Sequence, residues 1–519
     1  MIFDLLRGEP QPGERADVCI VGAGAAGIVL ALELRRQGKT VLLLDGGGAG
    51  VEEAAQEPYK SDVTGLPHRG VHVGRVRVKG GTTTQWGGQI LELDKEDFDH
   101  RPWIAGSGWP ITKAELKPFY ERALRLEGIP DVERSNAEVW RKLGLPEAKF
   151  DDLQPYLSRW LPEPNFAILN KRVLEDDGGL RVWLHANCVE LVIEHDTVRG
   201  VRCRTQGGRE AAFSADEFVV CMGTIECCRF FLQPRQGGLP WNRSLLLGRH
   251  FQDHVDSNAA EVKPRNRKAF GELFDNIFLG GYKYHPKLRL DPVEQERAGV
   301  LNCAATMYFL SDTDEVLGQL KCTAKHLLRG RFNEIGAQEI VGLVRNGPLL
   351  ARQMLRYALQ HRAYNPAHAT VKLRVHCEQR PDSESRITLA EERDSLGMLR
   401  TRLDWRISAL ELKTIRHYAN TASKALSEIA EVIPDPDLLR GDGSGYLSQC
   451  DDSNHHMGGM RMASSDADGV VDANLRLHGT RNCYVCSGAV MPTSGFSNPT
   501  HTVLALAVRL ADRLVGSAR

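Results

Sequence analysis

The sequence predicts a chain of the α/β class, α+β overall, in which a nucleotide-binding unit is interleaved with a second unit of sheet and helix. Three observations predict it. A strand–helix–strand pattern with a glycine-rich turn opens the chain, a strand-rich block closes on Phe218–Gly223, and an amphipathic helix ends it. At 519 residues the length suggests about three domains. No linker, repeat or low-complexity tract divides the chain, which favours domains assembled from several stretches. The expected division is 1–100, 180–255 and 445–519 for the nucleotide-binding domain, with 101–179 and 256–444 forming a substrate-binding cap.

In chain order, Ala16–Val21 is a short apolar strand, Ala25–Gln37 a helix stopped by Gly38, and Thr40–Leu44 the next strand. Between the first strand and the helix lies Gly22-Ala23-Gly24-Ala25-Ala26-Gly27. Gly22 permits the tight turn, Gly24 lets backbone approach a pyrophosphate, and Gly27 lets helix pack on strand. The helix N-terminus supplies free N–H groups to the anion. Asp45 follows Gly22 by 23 residues, where a carboxylate accepts from a ribose diol. This is a Rossmann-like dinucleotide site. A plain strand-to-helix turn with an exposed aspartate is the bland alternative.

Lys79-Gly80-Gly81-Thr82-Thr83-Thr84-Gln85-Trp86-Gly87-Gly88 is a second glycine-rich stretch, preceded by Arg75 and Arg77. Its glycines let backbone lie against a flat ring system, and its threonine hydroxyls can reach ring carbonyls. Leu180–Val220 is rich in strands. From 255 to 446 the pattern changes: 325–368 is Arg-rich and helical, Arg386–Leu389 and Leu403–Ile407 are strands around a turn, and Ala409–Ile429 is a long helix.

Bulk properties narrow the function. Lys+Arg 66 against Asp+Glu 67 gives a net charge of −1, with no basic field for nucleic acid or an acidic membrane. No apolar run reaches the ~18 residues of a membrane span. The N-terminus lacks a signal pattern, so the expected location is cytoplasmic, with the 12 cysteines reduced and mostly packed in the core. Cys483-x-x-Cys486 has no partner ligands at zinc spacing. His250 and His254, four apart, lack the intervening glutamate of a metalloprotease helix and read as structural polar packing; no metal is expected.

Near the C-terminus, His455-His456-Met457-Gly458-Gly459-Met460-Arg461-Met462 precedes Ser497-Asn498-Pro499-Thr500. A histidine suits proton removal from an alcohol because its unperturbed pKa is about 6.5. Asn498 before Pro499 also has the form of a helix N-cap.

Together these stretches resemble the glucose-methanol-choline (GMC) oxidoreductases, specifically over 16–120, 180–255 and 445–515. The resemblance implies FAD as cofactor and a hydride taken from an alcohol. His455 is the implied base and Asn498 the implied holder of the substrate oxygen. Besides Gly22, Gly24, Ala25, Ala26, Gly27 and Asp45, it implies cofactor contacts at Gly80, Gly81, Thr82, Thr83, Gln85, Trp86, Gly87, Val189, Gly223, Gly488, Pro499 and Thr500. Gln85 stands where sugar oxidases related to pyranose 2-oxidase carry a flavin-linking histidine, so FAD is expected to be held non-covalently. Ser487-Gly488-Ala489 replaces the family's usual Asp-x-Ser, and Asp45 its usual glutamate.

Ser107–Thr112 and Cys377–Thr388 are similar to pyranose oxidases, fructose dehydrogenases and glycoside 3-oxidases. They imply a sugar or glycoside oxidised at a secondary ring hydroxyl, with Gln379 and His456 as candidates for contact with substrate. Oxygen or another acceptor takes the electrons. Three rivals remain: an oxidase of a primary alcohol such as an aminoglycoside 6′-hydroxyl, a GMC-fold lyase with structural FAD, and an FAD-bound partner protein using 325–364 as its face. That Arg-rich segment reads first as a solvated helix pair or one facing a second copy in a homo-oligomer.

Overall fold

The computed structural model describes residues 1–10, 15–130, 136–145, 148–234, 241, 244–311, 341, 346–366 and 368–516. Two large sheets organise them. The first joins strands Ile2–Asp4, Leu180–Leu184, Val41–Leu44, Arg15–Val21 and Glu210–Val220 in parallel, and Cys483–Val485 adds in parallel to Glu210–Val220. Val41–Leu44 is wholly buried and Arg15–Val21 nearly so, as a parallel sheet covered on both faces requires. The outer half of Glu210–Val220 turns antiparallel to Thr197–Arg204, which pairs with Asn187–Glu194. Helix Ala25–Arg36 packs on this sheet, Pro499–Gly516 packs on that helix, and Lys113–Leu126 packs on the latter.

The second sheet runs Ala430–Pro434, Val255–Pro264, Thr370–Cys377, Cys303–Leu310, Tyr282–Leu290, Leu153–Trp160, Gln89–Ile90. Its two faces differ in chemistry. Val255, Cys377, Cys303, Leu373, Val375 and Leu288 are buried on one side, where helix Ala409–Ala425 packs and Tyr418 donates to the Leu288 carbonyl at 2.7 Å. The other side carries a cross-strand row of Asp256, His376, Ala304, Arg289 and Gln154, followed by Arg374, Lys287 and Tyr156. An antiparallel sheet with one apolar and one polar face covers a core with the first and leaves the second for a site. Gln89–Ile90 and Asp451–Asp452 join this sheet although they fall within 1–100 and 445–519.

Several elements differ from expectation. The helix from Ala409 stops at Ala425 rather than 429, because the Arg265 backbone N–H binds the Ile429 carbonyl at 2.9 Å and Ala430–Pro434 becomes an edge strand of the second sheet. The strand expected over 403–407 is Leu399–Asp404; Trp405 leaves it to donate to Gln379. Of 325–368, residues 325–340, 342–345 and 367 lie outside the described residues; among the others Gly347–Gln360 is a helix. The eleven described cysteines are free thiols. No described helix is long and apolar enough to cross a membrane.

Candidate active site

The glycine-rich turn after strand Arg15–Val21 closes tightly. Gly22 sits at φ +109°, and a Cβ there would lie 2.5 Å from the Cys221 carbonyl oxygen; one on Gly27 would lie 1.9 Å from the Gly22 oxygen. Strand, turn and helix therefore close only with glycine at both positions. A Cβ on Gly24 meets nothing within 4 Å, and helix Ala25–Arg36 has no side-chain cap and no acidic residue in its first turn. That open helix end suits an anion. Asp45 is 7% exposed and accepts one backbone N–H on each oxygen, from Gly47 and Ala23, both at 2.8 Å. Burial pushes its carboxyl up to about 6 against those bonds and the nearby Arg77. Arg77 Nη1 is buried with no hydrogen-bond partner among the described residues. An FAD pyrophosphate and ribose fit these groups.

The second glycine-rich stretch folds onto the first. Gly80 N–H donates to the Ala23 carbonyl at 2.8 Å, and a Cβ on Gly81 would stand 2.9 Å from Gly24 Cα. Thr83 does not present its hydroxyl outward: it donates to the Gly80 carbonyl at 2.6 Å and accepts from Phe166 N–H at 3.1 Å. Thr82 and Gln85 are exposed, and Trp86 anchors the loop through Nε1 to the Pro164 carbonyl at 2.8 Å. Val189 marks a bulge between Cys188 and Glu190. Gly223, at φ +79°, begins helix Thr224–Leu232.

The loop carrying His455 is fixed along its length. Met457 and Gln252 exchange backbone hydrogen bonds at 2.8 Å, and Gly458 N–H donates to the Gly488 carbonyl at 3.0 Å. Gly488 is required here, since its Cβ would lie 2.5 Å from the His456 carbonyl oxygen. Thr224 Oγ1 donates to that same oxygen at 2.6 Å. The result brings two residues 43 apart in sequence into contact: Asn498 Nδ2 stands 2.8 Å from His455 Nε2. No first-turn N–H of helix Pro499–Gly516 bonds the Asn498 side chain among the described residues, so the amide serves the histidine rather than the cap. Both side chains are half-buried in a surround that is otherwise closed.

Burial holds the His455 imidazole well below its ordinary range, and the neighbouring His254, His376 and Lys287 lower it further. Lys287, on the polar face of the second sheet and 3% exposed, is itself pushed down to about 8 by burial. The remaining candidates are placed differently. Gln379 is fully buried with its amide committed to scaffold: Oε1 accepts from Asp253 N–H at 2.8 Å and Trp405 Nε1 at 2.9 Å, and Nε2 donates to the Arg406 carbonyl at 2.6 Å. His456 turns away from Asn498 toward His68 and Asp253. His250 sits at φ +60° outside any helix, so it and His254 do not share a helix face.

His68, Asp253 and His456 bring three potential ligand atoms within 4.8 Å of one another. Val71 N–H donates to His68 Nδ1 at 3.1 Å, which leaves the His68 proton on Nε2, 3.2 Å from Asp253 Oδ2. The group thus reads as a buried His–Asp pair, not an open cage. Sequence reasoning missed His68 and Lys287, which no motif marks, and it assigned His254 to structural polar packing.

Residues 381–507 match the family described as GMC oxidoreductase, and 15–56 match that described as FAD binding domain. The chain is 24% identical to 6'''-hydroxyparomomycin C oxidase of Streptomyces lividus, over 96% of this chain and 92% of that protein. It is 23% identical to the fructose dehydrogenase large subunit of Gluconobacter japonicus, over 97% and 98%. A variant of formate oxidase from Aspergillus oryzae superposes with a TM-score of 0.58 at 16% identity, covering 98% of this chain and 99% of the other. Pyridoxine 4-oxidase from Mesorbium loti does so with 0.57 at 18% identity, over 96% and 98%. The fold is shared with formate oxidase and pyridoxine 4-oxidase, the cofactor is FAD, and the chain is an FAD-dependent oxidoreductase whose residues 381–507 are similar to the GMC oxidoreductases.

Proposed function

We propose that this protein oxidises a secondary ring hydroxyl of a sugar or glycoside to a keto sugar. The observation that carries the reading is the direct contact of Asn498 Nδ2 with His455 Nε2 at 2.8 Å. A substrate hydroxyl entering between them donates its proton to Nε2 and accepts from the amide. Bound FAD, held by the Gly22–Gly27 turn and Asp45, would supply the hydride acceptor for the carbinol carbon, so that loss of H⁺ and H⁻ together leaves the ketone. His455, depressed by burial, is neutral at working pH and available as a base. Asn498 fixes the oxygen, limiting the rotations open to the substrate before transfer. Gln85 has an amide where a flavin-linking histidine stands in related oxidases, which supports non-covalent FAD held by the groups around Gly22–Gly27 and Asp45.

A second reading is oxidation of a primary hydroxyl of an aminoglycoside; it is favoured by the likeness to 6'''-hydroxyparomomycin C oxidase and to paromamine 6'-oxidase of Streptomyces fradiae. The test is anaerobic bleaching of the flavin in the purified protein by pyranoses, glycosides, aminoglycosides and simple primary alcohols. Bleaching by a pyranose or glycoside with a keto sugar as product supports the first reading, and an aldehyde from an aminoglycoside the second. A flavin that no alcohol bleaches defeats both in favour of a lyase or binding role. Admission of air then tells whether oxygen is the acceptor. His455→Ala is expected to slow bleaching by about 10²–10⁴-fold.

A further inference from the structure

We propose that His254 is a positioning residue for His455: its ring fixes the tautomer of the base and shares the positive charge when the base is protonated. The inference rests on the reading of His455 as the base.

His254 is entirely buried and out of reach of substrate, and both its ring nitrogens face defined groups. Nε2 points at the Ser494 carbonyl oxygen, 3.5 Å away, which can only accept. The ring proton of neutral His254 therefore sits on Nε2, and Nδ1 offers a lone pair. That Nδ1 lies 2.9 Å from Nδ1 of His455, so His455 donates there. The lone pair of His455 is then left on Nε2, the nitrogen beside Asn498. Reversing either ring leaves two N–H groups or two lone pairs facing each other. The tautomer that satisfies every contact is the one that aims the base at the substrate oxygen.

The two rings are held in this relation by one carboxylate. Asp253 Oδ1 accepts from His254 N–H at 2.7 Å, His455 N–H at 3.0 Å and Ser453 N–H at 3.2 Å. Asp253 is in turn fixed by Gln379 through its own N–H and by His68 beside Oδ2. The rings meet edge to face, with centroids 4.9 Å apart at 75°.

The surroundings explain why a neutral partner is used. Lys287 and His376 face the pair from the second sheet and oppose added positive charge. Asp256, which favours it, is already engaged by His376 at 2.7 Å and Arg374 at 2.6 Å. Burial pushes His254 down to about 3, so it enters the reaction uncharged. When the alcohol O–H breaks and its proton binds His455 Nε2, the Nδ1–H bond to His254 becomes charge-assisted and roughly doubles in strength. The charge spreads over two rings with no further bond made or broken.

The test uses full-length, FAD-loaded protein, a sugar that bleaches it, and the variants His254→Asn and His254→Leu. Asparagine places Oδ1 where the imidazole Nδ1 stands and still accepts; leucine cannot. For His254→Leu the flavin-reduction rate constant is expected to fall roughly 10²-fold, the lower end of a general base's contribution, with a shifted pH profile and little change in the sugar concentration for half-maximal rate. His254→Asn restores most of the rate. In ¹⁵N-histidine spectra of the wild type, His455 carries its proton on Nδ1, with or without substrate.

Wild-type rate and pH profile in His254→Leu overturn the proposal, as does an Nε2–H tautomer of His455 in the wild type. The spectrum decides even if the leucine variant fails to fold. Wild-type bleaching by His455→Ala instead removes the base assignment beneath it, an outcome distinct from failure at His254.

Discussion

Arg101 and Glu378 form the ion pair whose removal is most readily quantified. Their side chains are 4% and 0% exposed, and the contact is bidentate, with Nη1 to Oε2 at 2.7 Å and Nη2 to Oε1 at 2.5 Å. Glu378 also accepts Asn302 N–H at 2.9 Å, so this carboxylate ties the stretch after Phe98 to two strands of the second sheet. Arg101→Met keeps the aliphatic stem and deletes the charge, leaving a buried carboxylate without its counterion, at a cost of about 3–5 kcal/mol. An unfolding entropy of roughly 2.1 cal/mol/K per residue gives about 1.1 kcal/mol/K over 519 residues. The melting temperature should therefore fall by about 3–5 °C if the chain unfolds as one unit. Release of flavin fluorescence on heating, checked against far-UV circular dichroism, reads the shift. Arg101→Met/Glu378→Leu removes both charges and is expected to recover most of the loss. A single variant that melts within 1 °C of wild type, or a double variant as unstable as the single, refutes the reasoning.

Three further outcomes follow from local geometry. Asp45→Ala removes a carboxylate whose charged hydrogen bonds are worth about 1.5–3 kcal/mol each, so titration of apoprotein should show FAD held about 10- to 100-fold more weakly; in the wild type, FAD affinity should rise with pH through about 6 as Asp45 ionises. Burial, then Asp94 and Glu378, raise Asp97 to about 7, so the folded chain binds a proton that the unfolded chain has lost between about pH 4 and 7. Stability should fall across that window as pH rises, and Asp97→Asn should flatten the dependence of melting temperature on pH. Gly458 has φ +73° and a Cβ position 2.0 Å from the His250 carbonyl oxygen. Gly458→Ala should displace the His455 loop, costing at least ~2 kcal/mol in thermal unfolding, and slow flavin reduction further than that loss explains.

The parts legible in the sequence are those whose physics is local. Gly22–Gly27 and Asp45 lie within one strand–helix–strand unit, and each glycine's role follows from backbone that is near in the chain. His455 and Asn498 were reachable because two short patterns resemble one family's, although 43 residues separate them. The second sheet was largely illegible. Val255–Pro264 pairs with Thr370–Cys377 across more than a hundred residues, and charges at Asp256, Arg374, His376 and Lys287 break up the apolar runs that mark strands, because the face they occupy is polar. Gln379 invited a substrate role through its neighbours in sequence; its amide is instead consumed by Asp253, Trp405 and Arg406, partners visible only in three dimensions. His254 was read as packing, since nothing local shows that its ring ends 2.9 Å from a residue 201 positions away.

The first sheet is closed by its last arrivals. Cys483–Val485 lies against Phe218–Val220, and helix Pro499–Gly516 settles on Ala25–Arg36, so the N-terminal strand–helix–strand unit waits for nearly the whole chain to be synthesised before its outer surface is covered. During translation that unit emerges early with apolar ground exposed, while the pairings that protect it span almost five hundred positions, a topology that slows folding. A chain that stops short of helix Pro499–Gly516 lacks Asn498, whose amide meets His455 at 2.8 Å, and leaves the outer face of Ala25–Arg36 without the helix that packs on it.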